Sequence, residues 1–342
     1  MKTPLNSFLL ASCVVLGCLV VAPAFAQGKK PQENKQARPV GGAVALVQEG
    51  FSAPIVGCTV SKDGSVAVIC TEDSFVHFTS LGDRLGGDVS KIGQNDNSFR
   101  YQIENAFLSP DGERLIGKIN ASTVAILTKK PQILHTLRGM PGLLFTALHA
   151  DGIQFLAGMR GGLMRVWDTN SGKPLTYISV LMNKNVTWLG FTPDGNTMIA
   201  ATDDKKLHYF KYPDVERQHE VETPGVITQL SFTADGSSMV SHAGKHVQVW
   251  DVGGAKVARS FSTGTPIVRT GISADGKLIA AAHEDGSVTL YDAATGKRRS
   301  GVEAHPLHQI ICLQFIKPKN AKHLLVTAAR KGDVVYWDVG ML

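Results

Sequence analysis

Cysteine is scarce in this sequence. The chain of 342 residues contains five cysteines, and two of them, Cys13 and Cys18, lie in an apolar stretch near the N-terminus. The other three, Cys58, Cys70 and Cys312, are an odd number, which excludes a framework in which every cysteine is bridged. Cys58 and Cys70 flank the tetrapeptide SKDG and could face each other across a hairpin, which would allow a disulfide. The alternative is that all three are small apolar strand residues.

The sequence also lacks a cluster of basic residues. The formal net charge is +6, but Lys2 and the tract Gln27–Gly42 carry four of these charges, so the rest of the chain is close to neutral. A nucleic-acid groove requires Lys and Arg side chains gathered on one face or stripe. The sequence therefore predicts no nucleic-acid partner.

Motifs of catalysis are absent as well. The chain has no Gly-x-Ser-x-Gly elbow, no His-Glu-x-x-His zinc motif, no Cys-x-x-Cys-His haem motif and no glycine loop of the nucleotide-binding type. These absences predict a protein that is not an enzyme and that holds no cofactor and no metal.

The first 26 residues have the pattern of an export signal. Lys2 is followed by an apolar run of 14 residues, Phe8–Val21, and Ala24 and Ala26 precede Gln27 as a cleavage site. The run is shorter than the ~20 residues that span a bilayer, so no stable membrane span is expected after cleavage. We predict a signal peptide over 1–26, a flexible polar linker over 27–42 and a secreted or periplasmic protein. An uncleaved anchor, or lipidation at the LASC box that ends at Cys13, remains an alternative.

The rest of the chain contains a repeat of about 40 residues. A four-residue turn recurs as SKDG, SPDG, HADG, TPDG, TADG and SADG, with a degraded copy KPKN. About sixteen residues after each turn, an alternating segment ends in a large side chain. These residues are Phe78, Leu127, Trp167, Phe210, Trp250, Tyr291 and Trp337. Seven copies are therefore present.

Each copy predicts four antiparallel strands. The Asp-Gly turn joins two apolar strands, because glycine tolerates positive φ and aspartate hydrogen-bonds its own backbone, and a glycine-rich turn precedes the fourth strand. A four-stranded sheet cannot cover both of its faces, whereas seven sheets closed into a ring leave no face bare. We predict an all-β, seven-bladed β-propeller over residues 43–342.

The repeat resembles that of the WD-repeat propellers, in a divergent, exported and bacterial form. The residues that carry the resemblance are VWD at 166–168 and 249–251, LYD at 290–292, YWD at 336–338 and the Asp-Gly turns before them. The family often holds its blades with a hydrogen-bonded set of His, Ser or Thr, Asp and Trp. No copy here contains the whole set, since the only His of the right kind, His305, belongs to a copy with Lys331 at the Asp position. We expect the tryptophans to act first through packing.

The two ends of the repeat region complement each other. The last copy stops after its third strand, and the segment Ser52–Gly64 aligns without gaps on Gly264–Gly276. That alignment places Ala45–Gln48 opposite a fourth strand, so we expect this N-terminal segment to join the last blade and close the ring.

The resemblance implies a monomeric platform that binds a protein or peptide. In a propeller, the turns between the second and third strands and the connections between blades emerge on one face, which we call the loop face. Candidate binding residues on it are Arg100, Arg160, Lys184, Asp203, His242, His283, Glu284, His305, His308 and Arg330. The alternative is a lactonase-like or metal- or quinone-dependent propeller with a site at the central channel.

Overall fold

Strands and tight turns account for the regular structure of the described residues. The computed structural model describes residues 44–48, 51, 53–61, 65–73, 75–80, 89–92, 103–128, 132–317 and 323–342. The predicted signal peptide, the predicted linker, Arg100 and most of the first and last repeat turns lie outside these residues. Within them, no helix has the length and the apolar character needed to cross a bilayer.

The strands fall into seven groups of four. Strand β1 is Val44–Gln48, and the first blade contains β2 (Ile55–Val60), β3 (Val66–Thr71), β4 (Val76–Ser80) and β5 (Val89–Ile92). The second and third blades contain β6 (Glu104–Leu108), β7 (Arg114–Asn120), β8 (Thr123–Thr128), β9 (Ile133–Leu137), β10 (Leu143–Leu148), β11 (Gln154–Met159), β12 (Met164–Asp168) and β13 (Pro174–Ile178). The fourth and fifth contain β14 (Val186–Phe191), β15 (Thr197–Thr202), β16 (Lys206–Lys211), β17 (Glu216–Glu222), β18 (Leu230–Phe232), β19 (Ser238–Ala243), β20 (His246–Asp251) and β21 (Lys256–Ser262). The last two contain β22 (Ile267–Ile272), β23 (Leu278–His283), β24 (Ser287–Asp292), β25 (Arg298–Glu303), β26 (Ile310–Ile316), β27 (Leu324–Ala329) and β28 (Val334–Asp338).

Each group is an antiparallel sheet in which chain neighbours pair, and the seven sheets form a β-propeller. Inner strands such as β15 and β20 are mostly buried, whereas outer strands such as β17 and β21 are exposed along most of their length. The prediction of a seven-bladed all-β propeller is confirmed. The large residue of every repeat lies on the third strand of its blade, as the spacing indicated.

The ring is closed by the N-terminal strand. β1 pairs antiparallel with β28, so that Val47 stands opposite Val335 and Gln48 opposite Val334, and the last sheet has the order β1-β28-β27-β26. The sequence placed the closing segment at Ala45–Gln48, and the observed strand starts one residue earlier. The first and last parts of the propeller therefore share one sheet.

The apolar core is divided among the interfaces between consecutive blades, which we call seams. Seven clusters of buried apolar residues are present in the described chain, and each combines side chains from two neighbouring blades. An open stack of seven sheets would have six such interfaces, so the seventh cluster, between the last and first blades, is the packing signature of closure.

The Asp-Gly turns are stabilised by a recurrent hydroxyl. In the turn of the fourth blade, Thr192 Oγ1 donates to Asp194 Oδ1 at 2.6 Å and accepts from Thr197 N at 3.1 Å. Ser273 and Asp275 repeat this arrangement in the sixth blade. The glycine that ends each described turn has positive φ, for example 77° at Gly195, which explains the residue required there.

The hypothesis of a disulfide between Cys58 and Cys70 is wrong. Cys70 stands opposite Gly57 in the pairing of β2 with β3, so Cys58, the next residue, points to the other face of the sheet. Cys70 packs in the seam between the first and second blades, and Cys58 packs in the seam between the last and the first. All three described cysteines are free thiols.

Candidate functional site: the loop face

The loop face is held together by backbone hydrogen bonds between its turns and connections. Asp203 N, in the second turn of the fourth blade, donates to Asn185 O in the connection before that blade at 2.9 Å. Thr223 N, in the connection that follows, donates to Lys205 O at 2.8 Å. The two kinds of loop thus lie side by side on one surface, as expected from the repeat.

Several of the predicted charged residues lie on this surface. Arg160, Asp203 and Glu284 are exposed. Asp203 Oδ2 accepts a hydrogen bond from Asn185 Nδ2 at 2.8 Å. Their charges are therefore available at the surface.

Two further predicted residues form ion pairs on the same face. Lys184 Nζ pairs with the Asp204 carboxylate, and this contact, followed by the hydroxyl of Thr202, holds the pKa of Asp204 below its ordinary value. Arg330 Nη2 pairs with Glu72 Oε1 at 2.6 Å and so joins the last blade to the first. Both pairs are exposed enough that each contributes about 1 kcal/mol or less to stability.

Three of the four predicted histidines are buried. His242, His283 and His305 are each no more than 6% exposed. His242 Nδ1 lies 3.2 Å from Thr270 Oγ1, and His283 Nδ1 donates to the carbonyl of Pro266 at 2.9 Å. Their hydrogen bonds are made within the ring, so these side chains support the loop face from beneath rather than present themselves on it. Only His308, which is half-buried, reaches the surface.

His305 belongs to a buried polar chain that the sequence analysis underrated. Trp337 Nε1 donates to Thr327 Oγ1 at 2.9 Å, and the same hydroxyl lies 2.9 Å from His305 Nε2. The indole can only donate, so the Thr327 hydroxyl accepts from Trp337 and also contacts the His305 ring. The last blade thus contains the His, Thr and Trp of the hydrogen-bonded set that the resemblance implies, with Lys331 in the sequence position of its Asp. Trp250 Nε1 similarly donates to Ser241 Oγ at 2.9 Å, so these tryptophans add hydrogen bonds to packing.

The buried histidines make stability depend on pH. Burial, and in second place Arg269, lowers the pKa of His242 to about 4. Burial also lowers the pKa of His305 to about 4, although a hydrogen bond to the Thr327 backbone opposes the shift and His308 adds to it. Both folded-state pKa values lie below the ordinary value of 6.5. Between pH 4 and pH 6.5 the unfolded chain therefore binds more protons than the folded one. This stabilisation is complete above pH 6.5 and is lost as pH falls toward 4.

We therefore expect the free energy of unfolding, measured by urea titration, to fall as the pH is lowered from 6.5 to 4, by up to about 1.4 kcal/mol per pH unit for each of the two histidines. Carboxylates such as Asp194, whose pKa the Thr192 hydroxyl holds below 3.8, begin to lose their contribution below about pH 5, so the slopes are compared between pH 6.5 and 5. The slope should become shallower in His305→Gln, whereas exposed His219→Gln serves as the control. Equal slopes in His305→Gln and the parent would contradict this assignment.

The loop face also has an apolar part that was not predicted from the sequence. Among the exposed large apolar side chains, four lie in connections between blades: Val180 (39% exposed), Met182 (52%), Val226 (39%) and Leu307 (90%). Composition could not identify them, because an apolar residue in a repeat protein is expected to be buried. Their position in the repeat could have identified them, since all four lie between the fourth strand of one blade and the first strand of the next.

Leu307 is held in a rigid and unfavourable backbone conformation. Its φ is 61°, in the left-handed region that disfavours side chains with a Cβ atom. Leu307 N donates to Asp285 O at 3.1 Å, and His308 N donates to His305 O at 2.9 Å. A side chain at Gly286 would collide with the His305 carbonyl, so the connection packs directly on the turn beneath it.

The connection between the third and fourth blades has the same geometry with a different residue at its tip. Asn183 has φ 66° and donates its N–H to Gly161 O at 2.8 Å, as Leu307 does to Asp285. Asparagine tolerates this conformation better than leucine does. The sixth connection thus carries a fully exposed leucine where the same turn elsewhere uses a residue suited to it.

The described residues contain no group of three His, Cys, Asp or Glu side chains that could hold a metal ion. His305 and His308, the pair that the sequence singled out for its HPLH motif, differ in burial and do not converge with a third such side chain in the described structure.

Comparison with known proteins finds partial similarities. The chain is 29% identical over 184 residues to eukaryotic translation initiation factor 3 subunit I of Coccidioides immitis, which covers 53% of this chain and 47% of that protein. It is 24% identical over 185 residues to cilia- and flagella-associated protein 52 of Sus scrofa and of Homo sapiens, covering 52% of this chain and 28% of those proteins. The chain thus spans less than half the length of these curated relatives. No family model matches it.

Proposed function

We propose that this chain is an exported, non-catalytic scaffold that binds a protein or peptide partner through the loop face of its propeller. The observation that carries the proposal is Leu307, whose side chain is 90% exposed at the tip of a rigid connection with positive φ. Backbone strain at an exposed position persists where the surrounding structure imposes it, and such positions cluster at functional sites.

The surroundings of Leu307 suit a protein partner. Met182 and Val226 add apolar surface on the same face, and the charged residues Arg160, Asp203 and Glu284 lie among them. Protein interfaces combine a few apolar anchors with a polar rim, and the anchors contribute most of the binding energy. The similarity to a translation initiation factor subunit and to a cilia- and flagella-associated protein, neither of which is named for a catalytic activity, agrees with a scaffold.

Export is the second part of the proposal. Its support is the segment 1–26, with its positive charge, its short apolar run and its small residues before Gln27. The partner is then a protein or peptide of the same exported compartment, and the working form of the chain is the mature one.

The variant Leu307→Asn tests the binding surface without threatening the fold. Asparagine is the residue that the equivalent turn uses at position 183, so the variant should be at least as stable as the parent. We expect it to bind the partner about tenfold or more weakly, because truncating an interface anchor costs about 2 kcal/mol. Affinity capture from the exported fraction and from the cytoplasmic fraction, followed by titration of the recovered protein, measures the effect.

Leu175→Asn is the matched control, since Leu175 is 54% exposed but lies on the outer strand β13, away from the loop face. Equal capture by the parent and both variants would refute recognition through the loop face. Recovery of the partner from the cytoplasmic fraction alone would refute export. The comparison of Leu307→Asn with Leu175→Asn would then still decide whether the loop face binds the partner.

A further inference from the structure

The first strands of neighbouring blades run side by side around the centre of the ring. β26, the first strand of the last blade, contacts both β22 and β2. In the seam between the fifth and sixth blades, the Gln229 side chain accepts from Thr270 N at 3.2 Å and donates to Thr270 O at 3.0 Å. A side chain just before the start of β18 therefore contacts the first strand of the next blade, β22.

The same registration occurs in the seam that closes the ring. Two residues after Gln229, Ser231 Oγ accepts from Ile272 N at 3.4 Å, and at the equivalent place in the closing seam Gln314 Nε2 donates to Val60 O at 3.3 Å. Two residues before Gln314 stands Cys312, and two residues before Val60 stands Cys58. Where the fifth seam has Gln229 against Thr270, the closing seam has one cysteine against another.

The two thiols lie close together. Cys312 belongs to the apolar cluster between the last and first blades, and Cys58 packs against the same cluster. The nearby Cys58 thiol, together with the Arg269 guanidinium and against the effect of burial, holds the pKa of Cys312 below its ordinary value. The nearby Cys312 sulfur and burial raise the pKa of Cys58. Cys312 is thus the thiol that ionises first, and it has a resolving thiol beside it.

We propose that Cys58 and Cys312 form a reversible disulfide that joins the first and last blades covalently. The bond would add a covalent link between two blades that β1, the backbone hydrogen bond from Ile55 N to Arg330 O and side-chain contacts also hold together. This inference is independent of the proposed function.

The oxidant is a disulfide of low molecular weight, such as glutathione disulfide. The Cys312 thiolate attacks one sulfur of the oxidant, which forms a mixed disulfide and releases the first thiolate. Cys58 then loses its proton and attacks Cys312 Sγ, which releases the second thiolate. Two protein thiols are oxidised by two electrons, one external disulfide is reduced, and the released thiolates take up the two protons.

The test uses the full chain, incubated with glutathione disulfide, alkylated under denaturing conditions and digested without reductant. We expect mass spectrometry to find a peptide that links Cys58 to Cys312, with Cys70 alkylated. The oxidised protein should melt roughly 5 °C or more above the reduced one, because the bond closes a loop that includes nearly the whole ring.

Cys58→Ala and Cys312→Ala should each abolish the linked peptide and the melting shift, whereas Cys70→Ala should retain both. Because burial alone raises the pKa of Cys70 to about 12, that thiol should remain inert. Alkylation of both Cys58 and Cys312 after incubation would overturn the proposal without recourse to any variant. So would a mixed disulfide on Cys312 that never resolves, or a link that involves Cys70.

Discussion

Trp250→Ala is expected to lower the free energy of unfolding by about 3–5 kcal/mol, the usual cost of removing a large aromatic side chain from a core. Trp250 is fully buried and packs in the seam between the fourth and fifth blades, beside Tyr209 and Met239. The substitution leaves a cavity that both blades share, and the Ser241 hydroxyl loses its donor. Urea unfolding at pH 7, with the midpoint and slope measured together, checks the prediction.

Trp250→Phe separates packing from the hydrogen bond. Phenylalanine keeps most of the apolar contact but not the donor to Ser241, so we expect a smaller loss, of about 1–3 kcal/mol. Trp167→Phe is the matched control, because Trp167 is also buried but its Nε1 has no partner among the described residues. Its loss should be smaller than that of Trp250→Phe. A midpoint unchanged by Trp250→Ala would contradict the placement of this tryptophan in the seam.

The architecture was predictable because its determinants are local. An Asp-Gly turn needs a glycine with positive φ and a hydroxyl two residues before the aspartate, and these residues recur in the sequence wherever the described chain makes the turn, except at His149, which takes the hydroxyl's place. The third strands were recognisable by alternation. Even the closing strand could be predicted, because the gapless alignment of Ser52–Gly64 on Gly264–Gly276 showed which strand of the repeat the preceding segment corresponds to.

The character of the loop face was less predictable. His242 and His283 were assigned to loops, but they are strand residues of β19 and β23, and strand alternation directs them into the seams. His305 and Leu307 are two residues apart in one connection, yet the first is buried and the second is 90% exposed. Such differences depend on the backbone path of a single turn, which periodicity does not encode.

Pairs between the ends of the chain were also beyond the sequence analysis. Cys58 and Cys70 are close in the sequence and attracted the disulfide hypothesis, but a one-residue difference in register places them on opposite faces of a sheet. Cys58 and Cys312 meet only because the ring closes. Predicting contacts across the closing seam requires the alignment of β2, in the first blade, with β26, in the last blade. This alignment is known only once all seven blades are placed.

Removing the closing strand is the second change with a large expected effect. Deletion of residues 43–48 leaves β28 as an unpaired edge, because β1 supplies its only partner on that side. It also removes Val47 from the apolar cluster between the sixth and seventh blades. Each backbone hydrogen bond contributes a net 0.5–1.5 kcal/mol, so we expect a loss of roughly 3–6 kcal/mol when the lost burial is added.

The loss should be concentrated in the last blade. Amide hydrogen exchange is expected to accelerate in β27 and β28 of the truncated protein, whereas the fourth blade, on the other side of the ring, should retain most of its protection. A deletion of equal length within residues 29–36, in the predicted linker, controls for the shortening of the chain and should leave the melting midpoint unchanged. Unchanged exchange in β28 after removal of 43–48 would show that β1 contributes nothing to closure.

Restoration in trans distinguishes a missing strand from a damaged fold. A peptide with the sequence of residues 43–49 should bind the truncated protein by pairing with the exposed edge of β28 in the register of β1, with Val47 opposite Val335. The same peptide with Val47→Asp cannot place an apolar side chain at that point of the seam and should have no effect. Recovery of slow exchange in β28 with the first peptide alone would show that closure depends on pairing and side-chain burial rather than on chain connectivity. Failure of both peptides, with the truncated protein still folded, would contradict that account of closure.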